Sequence, residues 1–236
     1  MVAQDFNSIS FDHEGTRVQF RIDEPNDVVQ RAQASGSFYE LPTLERLRNV
    51  IPEGSTIIDA GANVGNHSVY FGLFCKPRRV IPFEPNVRMA SIMLSNFKLN
   101  ALSSMDTTFS RFALGKTPSR ARLVVRRNDN WGNGHLIGDH VDPGATVFSD
   151  VVEVRPIDEF KIEDVDFIKI DVEGHELEVI HGALETIKQS RPTLFIEVGN
   201  SRLKAVADLL NPLGYQVIDV FCQYRTQLNL LYIPVR

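Results

Sequence analysis

The chain has 236 residues, 43% hydrophobic and 9% aromatic, which is ample for a core and points to one large domain or one domain with an appendage. A formal charge of −5 and an isoelectric point near 5.7 argue against a nucleic-acid-binding face, which needs a concentrated basic patch. Two cysteines are too few for a disulfide framework, which favours the reducing cytoplasm; residues 1–26 are too interrupted by charge to read as a signal peptide, and no apolar run reaches the roughly 20 residues of a membrane span.

In chain order, residues 1–25 alternate in places, as in Thr16-Arg-Val-Gln-Phe-Arg-Ile, and predict an edge strand or hairpin outside the main sheet. Residues 27–35 predict a short helix with Asp27 in its first turn, and residues 36–42 a loop. Residues 43–50 predict a helix carrying Leu44, Leu47 and Val50 at helical spacing. The first 35 residues are read as an appendage and candidate substrate lid, and residues 36–236 as the main domain.

Residues 56–72 are the most informative stretch. Ile57 and Ile58 suit a strand covered on both faces, Asp59 closes it with a carboxylate, and a glycine-rich turn containing Gly61, Asn63 and Gly65 leads into a helix over residues 67–74. Ligands of open α/β sheets gather at such strand ends. The run G-A-N-V-G is not the dinucleotide fingerprint, and an acid two residues before the first glycine repels a diphosphate while attracting an ammonium or sulfonium group. S-adenosylmethionine is therefore favoured over NAD. Residues 79–86 predict a second buried strand ending in Glu84, about 25 residues beyond Asp59, where nucleoside-binding folds carry an acid for the two ribose hydroxyls. Pro82 weakens that strand by removing an amide donor.

A helix is predicted over 87–99 and a third strand over 105–114, where Phe112 and Ala113 could cover an adenine face or simply fill the core. Residues 120–156 read as an inserted hairpin region, with strands at 121–125 and 151–156 flanking a turn-rich run that holds the single tryptophan. Phe167, Ile168 and Ile170 predict a buried strand, after which Asp171, Glu173, His175 and Glu176 cluster ahead of a helix over 177–189. Residues 193–198 predict another strand, ending near Glu197, and a helix over 202–210 follows. Two closing strands with no room for a helix between them must pair antiparallel.

The motifs I-D-A-G-A-N-V-G-N-H-S, F-E-P-N, F-A-L-G, F-I-K-I-D-V-E-G-H-E-L-E-V-I-H-G-A and R-P-T-L-F-I-E-V follow one another from about Phe38 to the C-terminus. In order and spacing the chain resembles the FkbM-type family of S-adenosylmethionine-dependent methyltransferases. The resemblance implies a class I methyltransferase (Rossmann-like) fold: a three-layer sandwich around a seven-stranded, mostly parallel sheet with the last strand antiparallel. It also implies O-methylation of a sugar, polyketide or other natural-product hydroxyl. By position, Asp59, Gly61, Asn63 and Gly65 would line the methionine and ribose part of the cofactor, Glu84 would hold the ribose hydroxyls, and Phe112 and Ala113 would lie by the adenine. Glu40 would stand near the cofactor's amino group, with Asp171 and Glu173 closest to the transferred methyl and the acceptor.

Methyl transfer is an in-line displacement in which the enzyme aligns the acceptor and excludes water, and a hydroxyl acceptor also loses its proton. Asp171 is the first candidate for general base, with His67 and His175 as rivals. Asp171, Glu173, His175 and Glu197 could instead hold a magnesium ion, although no spacing is diagnostic and no metal ligand is assigned. A non-catalytic cofactor-binding partner and an NAD-dependent oxidoreductase are the alternatives from other classes. A homodimer is compatible with the sequence.

Overall fold

The computed structural model describes residues 7–126, 130–140, 142, 144–222 and 225–235; the first six residues of the appendage, and Asn128 and Asp129 of the turn-rich run, lie outside them. The elements in order are β1 (Ser8–His13), β2 (Thr16–Arg21), α1 (Val28–Ala34), α2 (Leu41–Arg48), β3 (Thr56–Ala60), α3 (Asn66–Phe74), β4 (Arg79–Phe83) and α4 (Val87–Leu99). There follow β5 (Ala113–Leu114), β6 (Ser119–Val125), β7 (Gly134–Gly138), β8 (Phe148–Arg155), β9 (Val165–Ile170), α5 (Glu176–His181) and α6 (Leu184–Ser190). The chain closes with β10 (Thr193–Gly199), α7 (Leu203–Leu210), β11 (Tyr215–Phe221) and β12 (Gln227–Pro234).

The main sheet runs β11-β12-β10-β9-β3-β4. β4, β3, β9 and β10 are mutually parallel, and β12 enters antiparallel between β10 and β11. Its central strands are apolar on both faces, as a sheet covered on two sides requires. Ile57 and Phe167 point into a core shared with α2, α3 and α4, while Ile58 and Ile168 point into one shared with α5, α6 and α7. Three layers follow from this.

The sheet has six strands among the described residues, where seven were expected, and the missing strand has a local cause. Val80 donates its amide to Ser104 and accepts from Asp106, forming one parallel bridge. The next rung on that edge falls to Pro82, which has no N–H, so the ladder lapses until Glu84 donates to Ser110. Asp106 then folds the chain into a turn by accepting the amide and hydroxyl of Thr108. Of the strand expected over 105–114, Ala113–Leu114 survives, and it belongs to a second sheet.

That second sheet is ordered β5-β8-β6-β7. It includes β7, which falls between the strands expected over 121–125 and 151–156. The helix expected over 177–189 is two helices, α5 and α6: at the break the Gly182 carbonyl accepts from Asp158 N–H at 2.9 Å, and the Asp158 carboxylate accepts the amides of Glu185 at 3.0 Å and Thr186 at 2.8 Å at the start of α6.

The N-terminal hairpin β1-β2 is a separate two-stranded sheet whose apolar face enters the main core. Val18 and Phe20 are fully buried, and Phe20 meets Phe38 edge-on at 5.5 Å. Each such ring contributes roughly 1.5–3 kcal/mol by burial. The free edge of β2 is satisfied by side chains of α4 and its C-cap: Asn96 accepts from Arg21 N–H at 2.7 Å, and the C-cap Asn100 accepts from Gln19 N–H at 2.9 Å and donates back to its carbonyl at 2.7 Å.

Candidate functional site

A cavity of about 290 Å³ opens at the carboxyl ends of β3, β4, β9 and β10. One wall is backbone. After Ala60 the chain reverses through Gly61 (φ +79°) and Asn63 (φ +52°), and Gly61 lies so close to the carbonyl oxygen of Asp171 that a Cβ would overlap it. Gly65 caps α3 and faces Met93 and Phe97 of α4 instead of the cavity.

Beneath this turn sits a buried charge cluster. Asp59 is fully buried; its carboxylate accepts the hydroxyl of Ser68 at 2.7 Å and pairs with Lys169 Nζ at 3.1 Å. Lys169 also donates to Gly61 O at 2.9 Å and lies 3.4 Å from Asp171. Burial alone would lower its pKa, but the carboxylates of Asp59 and Asp171 override that and hold the amine above its usual range. Asp59 is thus paired from below and is not among the residues that line the cavity.

Other acids are on the wall. Glu84 is 8% exposed, and its two carboxylate oxygens accept the backbone N–H groups of Asn63 at 2.8 Å and Asn86 at 2.7 Å. Burial pushes its pKa up to about 7, against the pull of those two amides. Glu40 sits in a left-handed turn (φ +58°) with Oε2 at 3.3 Å from His67 Nε2. Register brings Asp171 and Glu197 together: Ile170 of β9 pairs with Ile196 of β10, and each strand's next residue is an acid at the cavity. Gln227 donates to Glu197 at 2.8 Å, and Asn133 donates to Glu173 at 3.1 Å. Burial, then the charge of Asp171, pushes the carboxyls of Glu173 and Glu197 well above the ordinary carboxylate range.

The facing wall comes from sequence-distant pieces. Val28 and Val29 of α1, Leu123 of β6, Trp131 and Leu136 line it, together with Phe112 and Ala113 at the start of β5. Asp27 holds this wall together. It is fully buried, caps α1 by accepting from Val29 at 3.0 Å and Gln30 at 3.1 Å, and accepts the backbone N–H of Trp131 at 2.8 Å with its other oxygen. Arg88 lies 4.1 Å over the Trp131 ring and pairs with Glu24. Gly132 abuts the side chain of Asn63, joining this wall to the glycine turn.

Of the residues singled out from sequence, Glu40, Gly61, Asn63, Glu84, Phe112, Ala113, Asp171 and Glu173 meet at the cavity, while Asp59 and Gly65 stand behind it. His175 also lines it, its pKa lowered by burial; His67 does not. Among the described residues no group of three or more His, Cys, Asp or Glu side chains is arranged to hold a metal. No described helix is long and apolar enough to cross a membrane. Sequence reasoning passed over Lys169, although a lysine inside F-I-K-I-D is a signal in itself, since a charge within an apolar strand needs a partner. It gave no role to Trp131 or Gln227.

A parallel α/β sheet with helices on both faces, one antiparallel strand near its end and a cavity at the strands' carboxyl ends is the Rossmann-like fold of class I methyltransferases. The model of the Methyltransferase FkbM domain matches residues 59–217, more than half of the chain, and the chain belongs to that family. Methyltransferase sdnD of Sordaria araneosa is 28% identical over 162 residues, covering 57% of this chain and 62% of that protein. The AMB antimetabolite synthetase AmbE of Pseudomonas aeruginosa is 25% identical over 210 residues; the match takes in 71% of this chain but spans only 10% of the synthetase. Among solved structures, a methyltransferase FkbM from Methylobacillus flagellatus KT is similar in fold, with a TM-score of 0.53 at 24% identity, covering 76% of this chain and 43% of that one.

Proposed function

We propose that this chain uses S-adenosylmethionine to methylate a hydroxyl on a sugar or other natural-product small molecule. The observation that carries the reading is Glu84 on the cavity wall: two backbone amides hold its carboxylate, and each oxygen keeps a lone pair for a ribose diol. The rest of the wall fits the same cofactor. Its acids, Glu40, Asp171, Glu173 and Glu197, suit a molecule with a sulfonium and an ammonium group, and the Gly61 turn exposes backbone at close quarters. Phe112 and Ala113 offer an apolar surface for the adenine. The free thiols of Cys75 and Cys222 are in keeping with the cytoplasm.

When bound, the cofactor supplies an electrophilic methyl group. The chain's own residues would hold the acceptor's hydroxyl oxygen oriented toward the bound cofactor. Asp171 takes the hydroxyl proton, oriented by Lys169 at 3.4 Å. The walls around Trp131 and α1 keep water from the reaction.

Calorimetry with S-adenosylhomocysteine tests this on the wild type and on Glu84→Ala. The substitution should cost about 1.5–3 kcal/mol, a tenfold to hundredfold loss of affinity. Absence of binding by the wild type would remove the reading. Binding without transfer of labelled methyl to any hydroxyl acceptor would remove its catalytic half.

A further inference from the structure

Glu40 reaches the cavity from an uncommon backbone conformation. It lies in the left-handed region (φ +58°, ψ +31°) that residues other than glycine rarely adopt, and such a conformation persists only where its surroundings hold it. It also stands at the N-cap of α2, yet its side chain makes no capping bond and borders the cavity instead. Both features need a clamp, and the start of α3 supplies it.

Asn66 and His67 follow directly on the glycine turn. Asn66 is 3% exposed and grips the residue before Glu40 by both backbone groups: its Oδ1 accepts the Tyr39 N–H at 3.0 Å, and its Nδ2 donates to the Tyr39 carbonyl at 2.9 Å. The fully buried Gln33 of α1 donates to the same Oδ1 at 3.3 Å, which fixes the orientation of the Asn66 amide. On the other side, the Glu40 carbonyl accepts from Thr43 and Leu44 at 2.9 and 3.1 Å. The chain is thereby held on both sides of the Glu40 side chain. The carboxylate itself is met by His67, whose Nε2 lies 3.3 Å from Glu40 Oε2, and both side chains are 7% exposed. Among the described residues that nitrogen makes no hydrogen bond elsewhere. His67 is not among the residues that line the cavity, so its route to a bound ligand runs through Glu40.

We infer that Asn66 and His67 are positioning residues for cofactor recognition: Asn66 sets the backbone of Glu40 and His67 sets its carboxylate, so that Glu40 meets the ammonium group of S-adenosylmethionine. This assignment deepens the methyltransferase reading and rests on it. A carboxylate fixed in direction suits an ammonium, whose N–H donors are directional, better than a sulfonium, which has none. Because Asn66 and His67 begin the helix that Gly65 caps, one turn of chain both presents backbone at the cavity and aims the acid at the cofactor's amino group.

Calorimetry compares S-adenosylhomocysteine, which carries the ammonium, with 5′-methylthioadenosine, which shares the nucleoside and thioether but lacks it. His67→Leu keeps an apolar side chain against Phe71 and should weaken S-adenosylhomocysteine about tenfold, while 5′-methylthioadenosine changes less than about twofold. His67→Gln, which retains an N–H donor of similar reach, should recover most of the loss. In a Glu40→Gln background His67→Leu should have no further effect, because the group it acts through is gone. Asn66→Ala should shift the two ligands in the same unequal way, and Asn66→Ser, a milder loss of the same clamp, serves where the first does not fold. No loss, an equal loss for both ligands, or a His67→Leu effect of the same size with Glu40 replaced would overturn the inference while leaving the cofactor reading in place. Failure of the wild type to bind S-adenosylhomocysteine would instead overturn the reading beneath it.

Discussion

One wall of the cavity is made of strand ends joined by backbone; the wall across from it is brought from residues 28–29, 123 and 131–136. The first is rigid because its parts are hydrogen-bonded neighbours in one sheet: Gly61 and Ala62 donate to Phe83 O at 3.0 and 2.9 Å, and Asp171 donates to Ala60 O at 3.1 Å. The second depends on a few long-range contacts converging on Asp27 and Trp131. On the proposed reading, the contrast lets one fold keep its cofactor chemistry while the acceptor varies. Change in the second wall leaves the sheet untouched, whereas change in the first disturbs every strand end at once.

The largest effect should come from the buried pair under the first wall. Lys169→Met leaves Asp59 buried and unpaired, and should lower unfolding stability by about 3–5 kcal/mol in urea. Adding Asp59→Asn should recover most of the loss; a double variant no more stable than the single would show that the two do not act as a pair.

A smaller effect, confined to the second wall, is expected for Asp27→Ala. It removes the α1 cap and strands the buried Trp131 amide, at about 1–3 kcal/mol. Acrylamide should then quench Trp131 emission more readily, with S-adenosylhomocysteine affinity little changed. Equal loss on both sides of the cavity would mean that the walls are not independent.

The smallest effect is a pH dependence. The raised pKa of Glu84 means that burial disfavours its charged form, whereas ribose hydroxyl donors favour it. Binding of S-adenosylhomocysteine should therefore strengthen as pH rises through about 7 and level off above, until the ligand's own amine titrates. Glu84→Gln should flatten the profile. A wild-type profile already flat across that range would show that Glu84 does not meet the ribose.

Much of the first wall was legible in the chain. The apolar runs around Ile57 and Ile168, their closing acids and the glycines between β3 and α3 are local patterns, and local patterns survive in one dimension. The seventh strand misled because alternation does not reveal which amides a neighbour needs. Pro82 was visible, but that it faces the rung between Val80 and Glu84 follows only from pairing. The partner of Asp59 was hidden for a related reason: an acid at a strand end looks available until Lys169, 110 positions on, is seen 3.1 Å away.

The periodicity and the motifs were enough for the class of fold, the placement of Glu84 and Asp171 at the sheet's carboxyl edge, and the family, because hydrophobic pattern and turn chemistry are properties of neighbouring residues. Folding alone decided which acids face the cavity and which are neutralised beneath it. It also decided that Trp131 closes the far wall against Asp27. Those outcomes depend on burial and on pairs formed across long stretches of chain, where desolvation and Coulomb energy act over a few ångströms of space, whatever the separation in sequence.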